Sequence, residues 1–300
     1  MKIFVLSPNK DAVFSEAHLV ELAAVGEVVY DVVPKSIQEV SGLTEGNEER
    51  VLALDPDFCG WSFTAEEIDS IPNLKAIVLQ TTGFDWMDAP HAESRGIPVI
   101  NLKGFSTEAV AEWALFMALA LARKLPVVIQ DGWQQDFIKH QGVELKGKKA
   151  GIIGLGAIGS RIAELAKGVG MDVLYWSKNA RNEMYAFVEL DDLLQSADVI
   201  FPAMAKNANS LALLSADAFS KVKPSAIVVT IMHDLAAHDL LLEKVKAGTL
   251  GGYAFEENAA FTKYDGNTFA SPEIAWATDG SMQRNGEMWA RAIMQAARKV

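Results

Sequence analysis

Gly154-Leu155-Gly156-Ala157-Ile158-Gly159 sets three glycines at a spacing that serves one kind of chemistry. The apolar run Ala150 to Ile153 before it reads as a short strand, and Ile162, Leu165, Ala166 and Val169 after it fall on one face of a helix. Each glycine then has its own reason. Gly154 allows the tight turn out of the strand. Gly156 has no Cβ, so a pyrophosphate can approach the backbone. Gly159 lets the helix pack closely on the strand. Leu155, Ala157 and Ile158 complete the loop, and the helix N-terminus adds free N–H groups and the positive end of its dipole. A second strand, Asp172 to Trp176, closes a βαβ unit, which favours a dinucleotide site over a merely structural glycine turn.

The end of that second strand reads Ser177-Lys178-Asn179-Ala180-Arg181. Dinucleotide-binding units that take NAD usually carry Asp or Glu here to grip the ribose hydroxyls. A carboxylate would repel a 2′-phosphate, whereas Ser177 flanked by Lys178 and Arg181 attracts one through charge-assisted hydrogen bonds. The expected cofactor is NADP(H), with NAD(H) left open because a solvated basic turn has the same composition.

Strand and helix signals alternate along most of the chain, which predicts a parallel sheet with helices on both faces. Strands are expected at Ile3–Leu6, Val28–Val32, Phe58–Trp61, Ala76–Gln80 and Val99–Asn101, with a helix around Ser15–Ala24. A longer helix starts after Ser106 and runs to about Arg123, with Val110, Ala114, Met117 and Leu121 at helical spacing and Pro126 just beyond its end. Further strands are expected at Val199–Phe201, Ile227–Thr230 and Glu273–Thr278, a helix at Leu240–Lys246, and a final amphipathic helix from about Met282 to Arg298. The fold class is α/β: two Rossmann-like lobes with parallel sheets and the active site in the cleft between them. The first lobe takes residues 1–103 and is completed by a C-terminal helix, 280–300; residues 104–279 form the dinucleotide-binding domain.

The bulk numbers narrow the class. A chain of 300 residues accommodates two domains, and 50% hydrophobic with 22% charged residues suits a globular protein. A net charge of −12 argues against nucleic acid or an anionic membrane as a partner. Cys59 is the one cysteine, so no intrachain disulfide forms and a reducing, cytoplasmic setting is expected. Met1–Leu6 reads as a first strand cut off by the polar run Ser7–Asp11, too early for a signal peptide. The apolar stretch Ala109–Leu121 is shorter than a membrane span and carries Glu112. No HExxH motif or Cys/His cluster is present, so no metal site is expected.

From Leu74 onward the chain resembles the D-2-hydroxyacid dehydrogenase superfamily, whose members include glyoxylate, hydroxypyruvate and phosphoglycerate dehydrogenases. The residues that carry the resemblance are Asn73–Ile77 leading to Thr82-Gly83-Phe84-Asp85, then Arg95-Gly96-Ile97-Pro98-Val99-Ile100-Asn101, and then Ser106–Glu112. Gly132-Trp133 and Leu145-Lys146-Gly147-Lys148 follow, ahead of the glycine loop, in family order. The resemblance implies a two-domain subunit, hydride transfer between NAD(P)H and a small-molecule 2-oxo acid, and a homodimer built through the nucleotide domains. It also implies that Thr82 and Gly83 offer N–H groups to a substrate anion. Trp86 is a candidate for the substrate pocket, and Lys103 for positive charge near it.

The catalytic positions depart from the pattern the resemblance implies. The family holds its substrate with an Arg in an N-x-x-R-G segment; this chain reads Thr230-Ile231-Met232-His233-Asp234, with His233 at the Arg position and Asp234 at the Gly. The family's acid–base His lies in a T-P-H segment, where this chain reads Ala277-Thr278-Asp279-Gly280. The Glu that tunes that His is matched by Glu256 or Glu257, or by neither. Thr230 stands at the strand end, beside the expected cofactor. Three readings follow. His233 is the proton donor with Asp279 orienting it; or the substrate is not an ordinary 2-oxo acid; or the chain is a catalytically silent nucleotide-binding regulatory or scaffold protein of the same fold.

Overall fold

The structure is a computed structural model and describes residues 1–179, 182–232, 234–257 and 264–299. The chain divides into two compact units, Met1–Ser106 with Asp279–Val300, and Thr107–Thr278. The boundaries therefore fall at 106/107 and 278/279, where the sequence places them at 103/104 and 279/280, and Asp279 goes with the first unit.

The first unit holds a five-stranded sheet of β1 (Lys2–Leu6), β2 (Glu27–Asp31), β3 (Arg50–Leu54), β4 (Leu74–Leu79) and β5 (Val99–Ile100), in the order β2-β1-β3-β4-β5. All pairings are parallel. Burial on both faces explains why β1, β3 and β4 read as continuous apolar runs. The C-terminal helix Asp279–Lys299 covers one face: Trp289 is fully buried, donates its indole N–H to Val78 O at 3.1 Å and stacks on Phe14. The strand order reverses between β1 and β3.

One expectation fails in this unit's second quarter. Phe58–Trp61 is a turn. Gly60 and Trp61 have φ of 64° and 58°, and Phe58 N–H bonds back to Asp55 O, which no strand allows. The strand lies earlier, at Arg50–Leu54, where the charged run Glu48-Glu49-Arg50 disguises it. Arg50 is fully buried, its guanidinium donating to Glu48 O at 2.7 Å and Pro72 O at 2.8 Å. A buried guanidinium held by carbonyls and beside the Glu48 carboxylate cannot be told from a surface charge by residue type.

The second unit holds β6 (Lys149–Ile153), β7 (Asp172–Trp176), β8 (Ala186–Phe187), β9 (Val199–Pro202), β10 (Ile227–Val229), β11 (Gly252–Glu256) and β12 (Thr268–Ser271). Their order is β12-β11-β10-β9-β6-β7-β8, all parallel, so that the order reverses between β6 and β9. Counted from β6, this is the doubly wound order of dinucleotide-binding sheets with one strand added at the edge. Helix Thr107–Ala122 packs Ala111, Ala114, Met117, Ala118 and Leu121 into the same core as Ile152, Phe201 and Val229. A short helix not foreseen, Leu125–Gln130, follows, with Pro126 in its first turn, where a missing N–H is harmless.

The expected strand at Glu273–Thr278 is also absent. The last strand is β12, Pro272 follows it, and the N–H groups of Ile274 and Ala275 are taken by the Glu256 carboxylate at 2.9 and 2.8 Å. The apolar run Ile274–Ala277 is a loop whose Ile274 and Trp276 side chains are exposed. Among the described residues no helix is long and apolar enough to cross a membrane.

Candidate functional site

In open parallel sheets, ligands bind outside the carboxyl ends of the strands, where the strand order reverses. In the second unit that place lies beyond β6 and β9, and the glycine loop occupies it. Gly154 has φ of 99°, which favours glycine, and a Cβ there would meet Met204 Cγ at 2.5 Å and Ala203 O at 3.0 Å from the loop after β9. At Gly159 a Cβ would stand 1.9 Å from Gly154 O, so the helix start rests on the turn itself. Gly156 is different: among the described residues a Cβ there would meet nothing within 4 Å. Among the described residues its backbone faces open space, at the N-cap of a 12-residue helix, Ala157–Gly168, that none of their side chains caps. Exposed N–H groups at a long helix start, reached past a residue with no side chain, fit a pyrophosphate.

Ser177, half-buried, and Lys178, exposed, follow the end of β7. Arg181 lies outside the described residues, as does His233. Thr230, at the end of β10, is buried, and its hydroxyl is spent locally: Met232 N–H donates to Oγ1 at 3.0 Å. Glu256 ends β11 and organises the 272–277 loop through the two N–H bonds described above. Glu257 accepts from the Tyr264 hydroxyl, and this bond, together with the larger effect of burial, pushes the Tyr264 phenol up to about 12.

Sequence reasoning missed two charged contacts here. Lys206, in the loop after β9, pairs with Asp234, in the loop after β10, at 2.6 Å. Asp234 has φ of 56°, a conformation glycine adopts freely and Asp tolerates better than most residues. Arg161, on the glycine-loop helix, is held by both carboxylate oxygens of Glu108 at 2.7 Å and by Glu164 at 2.7 Å, which raises its already high pKa. The Arg161–Glu164 pair is visible in the sequence at helical spacing; the other partners lie 28 and 53 residues away and no local pattern joins them.

The first unit carries the remaining candidates. Beyond β4, Thr81 Oγ1 donates to Gly83 O at 2.7 Å, Trp86 Nε1 donates to the same oxygen at 3.1 Å, and the Thr82 hydroxyl donates to Leu102 O. The loop is thus tied through its carbonyls and hydroxyls. Among the described residues the N–H groups of Thr82 and Gly83 meet no acceptor in the molecule. Lys103 is exposed next to Leu102, Trp86 is half-buried against Trp61 at 6.1 Å between ring centroids, and Asp279 opens the C-terminal helix.

Comparison with known proteins agrees with this architecture. The NAD-binding domain of D-isomer specific 2-hydroxyacid dehydrogenases matches residues 115–259. A glyoxylate reductase of Thermofilum pendens is 32% identical over 253 residues, covering 77% of this chain and 74% of that protein. Among solved structures, a glyoxylate reductase from Paecilomyes thermophila superposes with a TM-score of 0.85 at 19% identity, over 100% of this chain and 96% of that one. An acyclic imino acid reductase in complex with NADPH and D-Arg superposes with a TM-score of 0.81 at 22% identity, over 96% and 94%. The two solved structures share the fold, and the identity to the Thermofilum enzyme extends to descent. The chain belongs to the D-2-hydroxyacid dehydrogenase superfamily, NAD(P)-dependent oxidoreductases that act on 2-oxo and 2-hydroxy acids.

Proposed function

We propose that this chain is an NADP(H)-preferring reductase of a small 2-oxo acid or a related carbonyl compound. The observation that carries the reading is the end of β7. Ser177 stands where a carboxylate would exclude a 2′-phosphate, and Lys178 beside it is exposed. Gly154, Gly156 and Gly159, with Leu155, Ala157 and Ile158, hold the pyrophosphate on backbone N–H groups, and Ser177, Lys178 and Arg181 hold the 2′-phosphate. The nicotinamide, when bound, supplies the hydride. Thr230 contributes its place at the end of β10 and no hydroxyl, since that group closes its own turn.

Reduction of a carbonyl needs a proton at the forming alkoxide and positive charge near the substrate's carboxylate. In this reading His233 gives the proton and Asp279 favours its imidazolium form. Thr82 and Gly83 offer their N–H groups to the carboxylate, Lys103 adds charge, and Trp86 borders the substrate. Glu256 acts on the 272–277 loop. The test is a screen of 2-oxo acids, aldehydes and imines with NADPH and NADH, repeated with His233→Ala. Turnover with NADPH, slowed by ~10²–10⁴ in the variant, is expected. Tight NADPH binding without turnover on any of these classes would favour the silent regulatory reading.

The same reading includes a homodimer. Helix Thr107–Ala122 leaves Phe116 and Leu119 partly uncovered, and the following segment exposes Trp133, Phe137, Ile138 and Val143. Ile138 is 87% exposed, a cost that a second copy would remove. Light scattering that finds only a 32.6 kDa species at micromolar concentration would contradict it.

A further inference from the structure

In the first unit the strand order reverses between β1 and β3, and the place beyond their carboxyl ends is filled by the protein itself. Ser7 follows β1, Asp55 follows β3 and Gln80 follows β4, while Asn285 comes from the C-terminal helix. These side chains are 0%, 3%, 9% and 3% exposed.

Their hydrogen bonds can be counted from a fixed end. The backbone carbonyl of Gln80 can only accept, and Asn285 Nδ2 donates to it at 2.8 Å. Asn285 Oδ1 therefore faces the Gln80 side chain and accepts from its Nε2 at 3.2 Å. The other end of that amide, Gln80 Oε1, is then left 2.7 Å from Asp55 Oδ2. Two oxygens at that distance need a proton between them, and an amide oxygen has none to give. Turning the Gln80 amide over gives Asp55 an N–H, but sets two oxygens against each other at the 3.2 Å contact with Asn285. Turning Asn285 as well moves the conflict to the backbone carbonyl, which cannot turn.

We propose that Asp55 is held as a neutral carboxylic acid in the folded protein, donating its Oδ2 proton to Gln80 Oε1, and that this bond fixes where the 80–85 loop leaves β4. Every member of the network is then satisfied. Ser7 Oγ donates to Oδ2 at 2.6 Å, and Asp57 N–H donates to Oδ1 at 3.0 Å. Burial pushes the Asp55 carboxyl up, and like-charge repulsion from Asp57 adds to that, against the bonds from Ser7, Asp57 N–H and Asn9. The groups that face it from beyond β1 and from β4 are the neutral Ser7, Asn9 and Gln80, and the neutral Asn285 of the helix is joined to it through Gln80. Asp55 is thus a positioning residue acting through Gln80. That the loop it positions receives substrate rests on the function proposed above; the protonation does not.

The test uses the intact protein with ¹³C at the aspartate carboxyl carbons and ¹⁵N in the backbone, followed by NMR across the acid-to-neutral range. Asp55→Asn assigns the resonance and needs only to remove one signal. Asp55 should keep the signal of a protonated acid to higher pH than the ordinary aspartate value of about 3.9 allows. The Thr82 and Gly83 amide signals should move with the same midpoint as Asp55 when it finally ionises. An Asp55 that ionises at or below that ordinary value overturns the protonation. Thr82 and Gly83 signals that ignore the Asp55 titration overturn the positioning role. Neither result depends on which cofactor or substrate is turned over.

Discussion

The two parallel sheets of this chain reverse their strand order in the same manner and treat the resulting gap in opposite ways. In the second unit the gap beyond β6 and β9 is kept open by the described residues: Gly156 meets none of them on its open side, and a helix start that none of their side chains caps lies beside it. In the first unit the gap beyond β1 and β3 is closed with Ser7, Asp55, Gln80 and Asn285, all buried. One arrangement leaves backbone N–H groups for a ligand, and the other joins its polar side chains to one another. Topology marks where a ligand can bind; the side chains at that place decide whether one does.

Closing the open gap is the strongest way to break this contrast. Gly156→Val adds a side chain where nothing stands within 4 Å, at a φ of −80° that any residue accepts. Dinucleotide affinity should fall by ~100-fold or more, about 2.8 kcal/mol, with the thermal midpoint nearly unchanged. Calorimetric titration and a melting curve check both halves. Gly159→Ala sharpens the distinction between the glycines. Its Cβ would lie 1.9 Å from Gly154 O, so the variant should lose about 1–3 kcal/mol of stability in a urea titration, whether or not cofactor is present.

Changing which dinucleotide the open gap prefers is a smaller effect. Ser177→Asp with Lys178→Ala should cost NADPH, relative to NADH, the ~1–3 kcal/mol of hydrogen bonds to a charged group. Equal affinities for the two cofactors in the wild type would remove the basis of the preference.

The smallest effect concerns the closed gap and has a sign set by Asp55. Burial, the first cause, raises its pKa in the folded state. Its contribution to stability is fully present below the unfolded value of about 3.9 and is lost as pH rises through the folded value. The wild type should therefore lose stability, relative to Asp55→Asn, as pH climbs through that window. A difference that grows in the acid direction instead would mean that Asp55 is stabilised as a carboxylate.

The open gap was legible in the sequence because backbone chemistry dictates residue type there: a turn at φ 99° and a helix resting on a carbonyl both call for glycine. The closed gap was not. Ser7, Asp55, Gln80 and Asn285 are ordinary polar residues spread over 278 positions, and only the folded sheet brings them together. At Arg50 a buried charge left the strand unmarked in the sequence, while the apolar run Ile274–Ala277, expected as strand, is a loop in which the Ile274 and Ala275 N–H groups go to the Glu256 carboxylate instead of a neighbouring strand. Phe58–Trp61 failed because two residues with positive φ follow an apolar start, and Trp at such a position carries no sequence signal. Thr230 kept its predicted place but not a free hydroxyl.

The central claim is that the second unit's gap, and not the first unit's, receives the dinucleotide. Titrating NADPH into ¹⁵N-labelled protein and following the backbone amide signals tests it residue by residue. The account predicts saturable shifts at Leu155, Gly156, Ala157, Ile158 and Gly159 and at Ser177 and Lys178, with the signals of Ser7, Asp55 and Gln80 unmoved. Shifts confined to Ser7, Asp55 and Gln80, or no saturable shift at the glycine loop, would contradict it.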